Sequence, residues 1–201
     1  MITIIDYDAG NLRSVEKAFL SLGEETTVTR DKSRILSADK VVLPGVGAFG
    51  DAMAKLDQYG LTEVIRQVAD RGTPFLGICL GLQLMFDSSQ ESEGVSGLGL
   101  LSGRILKIPD CPGLKIPHMG WNSLDIRPDS RLFAGIEQGA YVYFVHSYYL
   151  QAQDESVVAA SAQYGVGIHA AVERDNVFAC QFHPEKSGDT GLRILKNFVD
   201  L

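Results

Sequence analysis

The stretch that decides the fold is PFLGICLGLQLMF, residues 74–86. Its apolar residues predict a buried strand over 75–78 and a buried helix over 82–86. Between them, Gly77-Ile-Cys-Leu-Gly81 matches the cysteine form of a nucleophile elbow, in which glycines let a strand, a turn and a helix approach closely. The pattern predicts that Cys79 stands exposed above the sheet edge. There a helix N-terminus favours the thiolate and the Leu80 N–H can face an oxyanion.

The segments around this elbow predict a single α/β domain, residues 1–201. In the first half, strands are predicted at 2–6, 26–29 and 40–43 and helices at 12–22 and 61–69, with Asn11 as a helix cap and Pro44 ending the third strand. In the second half, turns separate predicted strands at 100–108, 123–126, 141–150, 157–161, 169–172 and 177–182, and a helix follows at 191–201. We therefore predict a mixed, mainly parallel central sheet flanked by helices, with an added antiparallel portion.

Composition excludes several classes of protein. The formal net charge of −7 argues against non-specific nucleic-acid binding, which needs a basic surface. Three cysteines without paired short spacings indicate neither a disulfide framework nor a zinc site. The N-terminus lacks a basic region before its apolar residues, and no apolar run is long enough to span a bilayer. We expect a cytoplasmic protein without a metal or cofactor.

A cysteine nucleophile needs a histidine base, and the base needs an orienting group. His183 is the one histidine of four with a local acid, in His183-Pro-Glu185. Pro184 favours an extended backbone at His183, and residues two apart in an extended chain face the same side. Glu185 can therefore orient His183. The alternative base, His146, has no acid nearby, so a core or site-lining position is expected for it.

The segment GVGAFG, residues 45–50, matches the G-x-G-x-x-G fingerprint of dinucleotide-binding loops. That function would require a carboxylate at the end of the next strand, and the next strand ends at Cys79 instead. The alternative is an oxyanion wall, because Gly45 and Gly47 let backbone N–H groups approach a tetrahedral intermediate. We favour the oxyanion wall. Glycine on both sides of Val46 also lowers the barrier to a peptide rotation that would switch this wall.

Together these motifs resemble the class I (triad) glutamine amidotransferases. The resemblance covers essentially the whole chain and is narrower for the glutaminase subunits of imidazole glycerol phosphate synthase. The narrow signals are Tyr7 with GNLRS (10–14), PGVGAFG (44–50), PHMGWN (117–122) and YFVHSY (143–148). The resemblance implies the flavodoxin-like fold of the class I glutamine amidotransferases.

The resemblance also implies roles for individual residues. Cys79 attacks the amide of L-glutamine, His183 carries the proton and Glu185 orients His183. The remaining substrate-binding residues hold the oxyanion or the amino-acid end: Gly45, Val46, Gly47, Leu80, Gln83, Glu91, Ser147 and Tyr148. The implied partner is a (β/α)8-barrel cyclase subunit, forming a heterodimer through Asn11, Trp121, Asn122, Tyr143 and Lys186.

Three alternatives stay open at this point. A different triad amidotransferase, of pyridoxal phosphate or anthranilate synthesis, fits the same triad but leaves PHMGWN and GNLRS unexplained. An unrelated α/β cysteine hydrolase would place its acid between nucleophile and histidine in chain order. A binding module with a dead site would not be expected to retain Cys79, His183 and Glu185. Trp121 and Tyr143 could also be ordinary core aromatics.

Overall fold

The computed structural model describes all 201 residues of the chain. Its strands are β1 (Ile2–Ile5), β2 (Thr26–Thr29), β3 (Lys40–Gly45), β4 (Phe75–Cys79), β5 (Ser88–Ser89), β6 (Gly103–Lys107), β7 (His118–Ser123), β8 (Asp125–Ile126), β9 (Tyr141–His146), β10 (Tyr148–Ala152), β11 (Val158–Tyr164), β12 (Val166–Arg174) and β13 (Val177–Cys180). Its helices are α1 (Leu12–Ser21), α2 (Lys32–Leu36), α3 (Phe49–Gln58), α4 (Thr62–Asp70), α5 (Leu80–Leu84) and α6 (Gly188–Val199). Two 3-10 turns span Glu155–Val157 and Pro184–Lys186.

The central sheet has eight strands in the order β2-β1-β3-β4-β13-β12-β11-β8. Every pairing from β2 to β13 is parallel, and those from β13 to β8 are antiparallel. The prediction of a mixed, mainly parallel sheet with an added antiparallel portion is thus confirmed. The parallel part places the carboxyl ends of β3, β4 and β13 side by side, which is where such sheets hold ligands.

Helices cover both faces of this sheet. On one face α3 and α4 bury Met53, Leu56 and Ile65, and on the other α1 and α6 bury Phe19 and Phe198. Because both faces are covered, the central strands are largely apolar, and all of β4 is buried. None of the helices combines the length and the apolar character that crossing a membrane requires.

The predicted strand over 141–150 is two strands in the structure. β9 pairs with β7, whereas β10 pairs with β6 in a different sheet, and the chain changes sheet at Ser147. Aromatic and β-branched residues favour a strand on both sides of His146 and Ser147, and strand propensity carries no sign of a change of pairing partner. β7 itself was not predicted, because Gly120 and Asn122 are residue types depleted in strands.

Pro44 does not end β3, contrary to expectation. β3 continues to Gly45, and Pro44 lies opposite Ile78 of β4. On its other side β1 pairs with β3 only as far as Val42, so at Pro44 the strand has a single neighbour. Proline is tolerated where a strand lacks a neighbour, because its missing N–H then costs no ladder hydrogen bond.

Candidate active site

The elbow around Cys79 has the predicted strand–turn–helix form. Cys79 ends β4 with φ of 55°, a left-handed backbone that is strained for a residue with a side chain. The flanking glycines are sterically required: a Cβ on Gly77 would lie 2.9 Å from the Gly81 backbone, and one on Gly81 would lie 1.9 Å from the Leu43 carbonyl oxygen. Cys79 is buried rather than exposed, because it lies in the wall of a cleft and not on the outer surface of the sheet edge.

His183 and Glu185 form a buried pair. The Nδ1 atom of His183 lies 2.9 Å from Oε1 of Glu185, and both side chains are almost fully enclosed. Because the carboxylate accepts, Nδ1 carries the hydrogen and Nε2 is left for proton transfer. The local backbone differs from the prediction in one respect: His183 is extended, but Pro184 opens a 3-10 turn that contains Glu185.

The electrostatics of His183 are set by its two neighbours. Burial by itself would lower the pKa of His183, but hydrogen bonding and charge at Cys79 and Glu185 outweigh burial and raise that pKa to about 9. At neutral pH this favours an imidazolium beside the sulfur. Such a pair is the activated form of a cysteine nucleophile.

A cleft of about 370 Å³ opens over Cys79. That volume lies within the range of sites for small molecules. The cleft brings together most of the predicted site residues, His146 in the expected lining position, and Pro117 and Val145, which were not predicted. Its lining residues are Val46, Gly47, Cys79, Leu80, Gln83, Glu91, Pro117, Val145, His146, Ser147, Tyr148, His183 and Lys186.

The loop after β3 lies beside Cys79, as the oxyanion alternative requires. Gly45 is the direct sheet neighbour of Cys79, although it does not line the cleft itself. Gly47 has φ of 102°, and Val46 is 44% exposed at the cleft. Leu80 is the first residue of α5, so its N–H has no acceptor within the helix. The two candidate donors of an oxyanion hole, the Leu80 N–H and the backbone after β3, therefore both lie next to Cys79.

Gln83 belongs to a chain of buried amides. Its Nε2 donates to the Tyr148 carbonyl at 3.1 Å and to Oε1 of Gln181 at 3.0 Å, and Nε2 of Gln181 lies 3.7 Å from the Cys79 sulfur. Gln181 was missed by the sequence analysis. The signal was present, since Gln181 lies two residues before His183 at the end of a strand and alternate residues share a face.

Glu91 is the acid of the cleft. Its Oε2 accepts from the Phe49 backbone N–H at 2.8 Å, at the start of α3, and its other oxygen makes no hydrogen bond within the chain. That oxygen is available to a cationic group in the cleft. The chain holds no cluster of three or more His, Cys, Asp or Glu side chains arranged to bind a metal ion.

The structure places the predicted interface residues on β7, on β9, at the start of α1 and in the 3-10 turn after His183. Trp121 is 55% exposed and contacts Tyr143 on the neighbouring strand, with ring centroids 6.0 Å apart. Asn122 donates instead to the Gln163 carbonyl and contacts His118, on the opposite side of β7. Lys186 lines the cleft, and Asn11 caps α1 without a side-chain hydrogen bond, beside a small void next to Glu185.

The fold and the site together define a class of protein. The model of the class-I glutamine amidotransferase family matches residues 3–201, and the chain belongs to that family. Within it, the chain is a member of the HisH group. It is 55% identical over 201 residues to imidazole glycerol phosphate synthase subunit HisH of Methanothermobacter thermautotrophicus, covering all of this chain and 98% of that protein. It is 53% identical over 206 residues to the same subunit of Syntrophotalea carbinolica, covering all of both chains.

Solved structures agree on the fold. The PurLQS structure from Thermotoga maritima superposes with a TM-score of 0.77 at 22% identity, covering 99% of this chain and 97% of that one. A crystal structure described as a glutamine amidotransferase gives 0.77 at 19% identity, covering 100% and 98%. At such identities the likeness concerns architecture alone.

Proposed function

We propose that this chain is the glutaminase subunit of an imidazole glycerol phosphate synthase. It hydrolyses glutamine to glutamate and ammonia through Cys79, His183 and Glu185, and it delivers the ammonia to a cyclase subunit. The observation that carries the proposal is the buried His183–Glu185 pair beside a cysteine on a strained elbow. The relatives also support this function, because those that match over the full length are HisH subunits.

The reaction proceeds in two steps. The Cys79 sulfur attacks the side-chain amide carbon of glutamine, and the tetrahedral oxyanion is stabilised by the Leu80 N–H and the backbone after β3. His183 donates its proton to the departing nitrogen, so ammonia leaves and a glutamyl thioester forms. His183 then takes a proton from water, which attacks the thioester and releases glutamate and the thiol. Glu185 keeps the proton on Nδ1 throughout, because its Oε1 accepts from that atom.

The amino-acid end of glutamine is held in the same cleft by Glu91 and the Ser147–Tyr148 backbone. Glu91 offers an unpaired carboxylate oxygen to the ammonium group, and the backbone at Ser147 and Tyr148 faces the same cleft. Gln83 secures that wall by donating to the Tyr148 carbonyl. Binding at this end places the amide over Cys79 and converts attack into an intramolecular step.

The cyclase partner, a (β/α)8 barrel, would dock on the face formed by Trp121 and Tyr143. Trp121 is a large aromatic side chain left more than half exposed, and Met119 on the same strand is 62% exposed. Aromatic anchors of this kind commonly dominate interfaces. All three cysteines are free thiols, which suits the expected cytoplasmic location.

The test is glutamate release from glutamine by the purified chain, alone and with the cyclase plus its nucleotide substrate. We expect strong release in the complete mixture and weak release from the chain alone. Cys79→Ala should abolish glutamine use but spare synthesis from added ammonia. Cys111→Ala, which removes a half-buried thiol outside the cleft, is the matched control and should retain both activities.

Two outcomes would contradict parts of the proposal. Glutamine hydrolysis by Cys79→Ala at the wild-type rate would remove the triad from the mechanism. Vigorous release by the chain alone, unchanged by the cyclase, would leave the triad but exclude this partner and the switch at the oxyanion loop.

A further inference from the structure

Two buried histidines outside the triad form a continuous hydrogen-bonded chain. His118 at the start of β7 lies directly opposite His146 at the end of β9, and the two are only 3% and 6% exposed. Nδ1 of His118 is 2.9 Å from Nε2 of His146. Nδ1 of His146 is 2.8 Å from the Tyr148 carbonyl oxygen, and Nδ2 of Asn122 is 3.4 Å from Nε2 of His118.

The direction of this chain follows from the groups at its ends. A carbonyl oxygen only accepts, so Nδ1 of His146 must carry a hydrogen. Nε2 of a neutral His146 then has to accept, which requires a hydrogen on Nδ1 of His118. Nε2 of His118 accepts in turn from the Asn122 amide. The hydrogens therefore all point one way, from Asn122 through both rings to Tyr148.

Both imidazole rings are neutral at pH 7, as this pattern of hydrogen bonds requires. Burial lowers the pKa of His146 to about 4; its hydrogen bond to the Tyr148 carbonyl opposes this shift, and the nearby His118 and His183 add to it. Burial likewise lowers the pKa of His118 to about 4. His118 is also held in plane between Phe144 and Tyr164, with ring centroids 4.7 Å and 3.9 Å away. Its orientation is therefore restricted by packing as well as by hydrogen bonds.

The chain ends on the wall of the cleft. The Tyr148 carbonyl accepts from both His146 and Gln83, and the segment from His146 to Tyr148 is where the backbone passes from one sheet to another. At the other end, Asn122 lies on β7 next to the exposed Trp121. The hydrogen bonds thus join the strand of the proposed partner face to the backbone that faces glutamine.

We propose that His118 and His146 are positioning residues that act as a one-directional hydrogen-bond relay. Through Asn122 at one end and the Tyr148 carbonyl at the other, the relay sets the position of the Ser147–Tyr148 backbone for the amino-acid end of glutamine. This assignment of the site rests on the proposed function. The relay affects substrate binding and not the chemical step, because it touches neither the sulfur nor the reacting amide.

The tautomers give a direct test that does not depend on activity. Ring ¹⁵N–¹H spectra of the wild-type chain at pH 7 should show two neutral imidazoles protonated on Nδ1, and His118→Phe should remove one of them and so assign the other. A neutral Nε2–H form at either residue would overturn the relay, since Nδ1 could no longer donate.

Kinetics in the complex with the cyclase test the positioning role. His118→Phe keeps a ring between Phe144 and Tyr164 but removes the donor to His146. We expect KM for glutamine to rise about five- to tenfold, the loss of roughly one buried hydrogen bond, with kcat changed less than about twofold. His118→Asn restores an N–H near the position of Nδ1 and should return KM to within about twofold of the wild-type value.

An unchanged KM in His118→Phe, or an equal KM in the Phe and Asn variants, would overturn the positioning role. Glutamine hydrolysis at saturating glutamine should stay within about twofold of the wild-type complex in both variants, which shows that they fold and bind the cyclase. Absence of glutaminase activity in the wild-type complex would instead refute the proposed function, and the ring spectra would still decide whether the relay exists.

Discussion

Replacing Gly81 by alanine tests the packing that forms the elbow. The added Cβ would lie 1.9 Å from the Leu43 carbonyl oxygen, and real Cβ contacts essentially never fall below 3.0 Å. α5 and β3 would therefore have to separate by roughly 1 Å in an interior packed as densely as a crystal. Backbone is on one side of the contact, so no side-chain rotation relieves it. We expect a loss of about 3 kcal/mol in the free energy of unfolding, at the upper end of overpacking effects.

Urea and thermal unfolding measure this loss. About 3 kcal/mol corresponds to a fall of roughly 6–12 °C in Tm for a chain of this size. Gly167→Ala is the matched control, because its Cβ would meet only the Gln163 amide at 3.6 Å, and it should stay within about 1 kcal/mol of the wild type. Glutaminase activity should fall at temperatures where Gly81→Ala is still folded, since the same contact joins Cys79 to the oxyanion loop. A loss below about 1 kcal/mol would refute the steric account of the elbow.

Two further predictions concern the triad and the partner face. Glu185→Gln should lower kcat/KM for glutamine by about 10²- to 10⁴-fold, because an amide carries no charge to stabilise the imidazolium and its NH2 group can donate to Nδ1, which places the proton on the wrong nitrogen. Because the pKa of His183 is raised in the folded chain, protonation of His183 contributes to the free energy of unfolding. This contribution is fully present below pH 6.5 and is lost as the pH rises through about 9. Urea unfolding at pH 6.5 and at about pH 9 measures this loss. Between these two pH values the free energy of unfolding should fall less in Glu185→Gln than in the wild type. An equal fall in both proteins would mean that Glu185 does not stabilise the imidazolium. Trp121→Ala should weaken cyclase binding about 30-fold or more in titrations, whereas Leu20→Ala, 53% exposed on α1, should leave Kd unchanged. Equal Kd values for wild type and Trp121→Ala would exclude this face as the interface.

Local chemistry made much of the site predictable. Glycines at 77 and 81 around a cysteine have few structural purposes other than a tight turn, and the structure shows the backbone contacts that exclude side chains there. An acid two residues from a histidine also lies on the same side when the backbone is extended at the histidine, as it is at His183. This proximity was predicted, although the 3-10 turn that carries Glu185 was not.

The pairings among distant residues were beyond prediction. Gln181 lies 102 residues from Cys79 along the chain, and His118 lies 28 residues before His146. Each looked unremarkable in sequence, because a buried polar side chain is explained only by the partner that satisfies it. The side of β7 on which the Asn122 side chain lies likewise depends on the pairing of β7 with β9. That pairing was not predictable, because β7 contains residues of low strand propensity.

By itself the sequence determined the layers of the fold, the elbow and the choice of Cys79 and His183 as the proposed nucleophile and base, because periodicity, glycine sterics and short-range spacing act locally. The tertiary structure alone decided that Cys79 is buried in the wall of a cleft and that β9 and β10 belong to different sheets. It also decided that two neutral histidines connect β7 to the Tyr148 carbonyl. The physical reason is that hydrogen bonds and desolvation depend on which groups meet in space, and the sheet order that brings them together is a property of the whole chain.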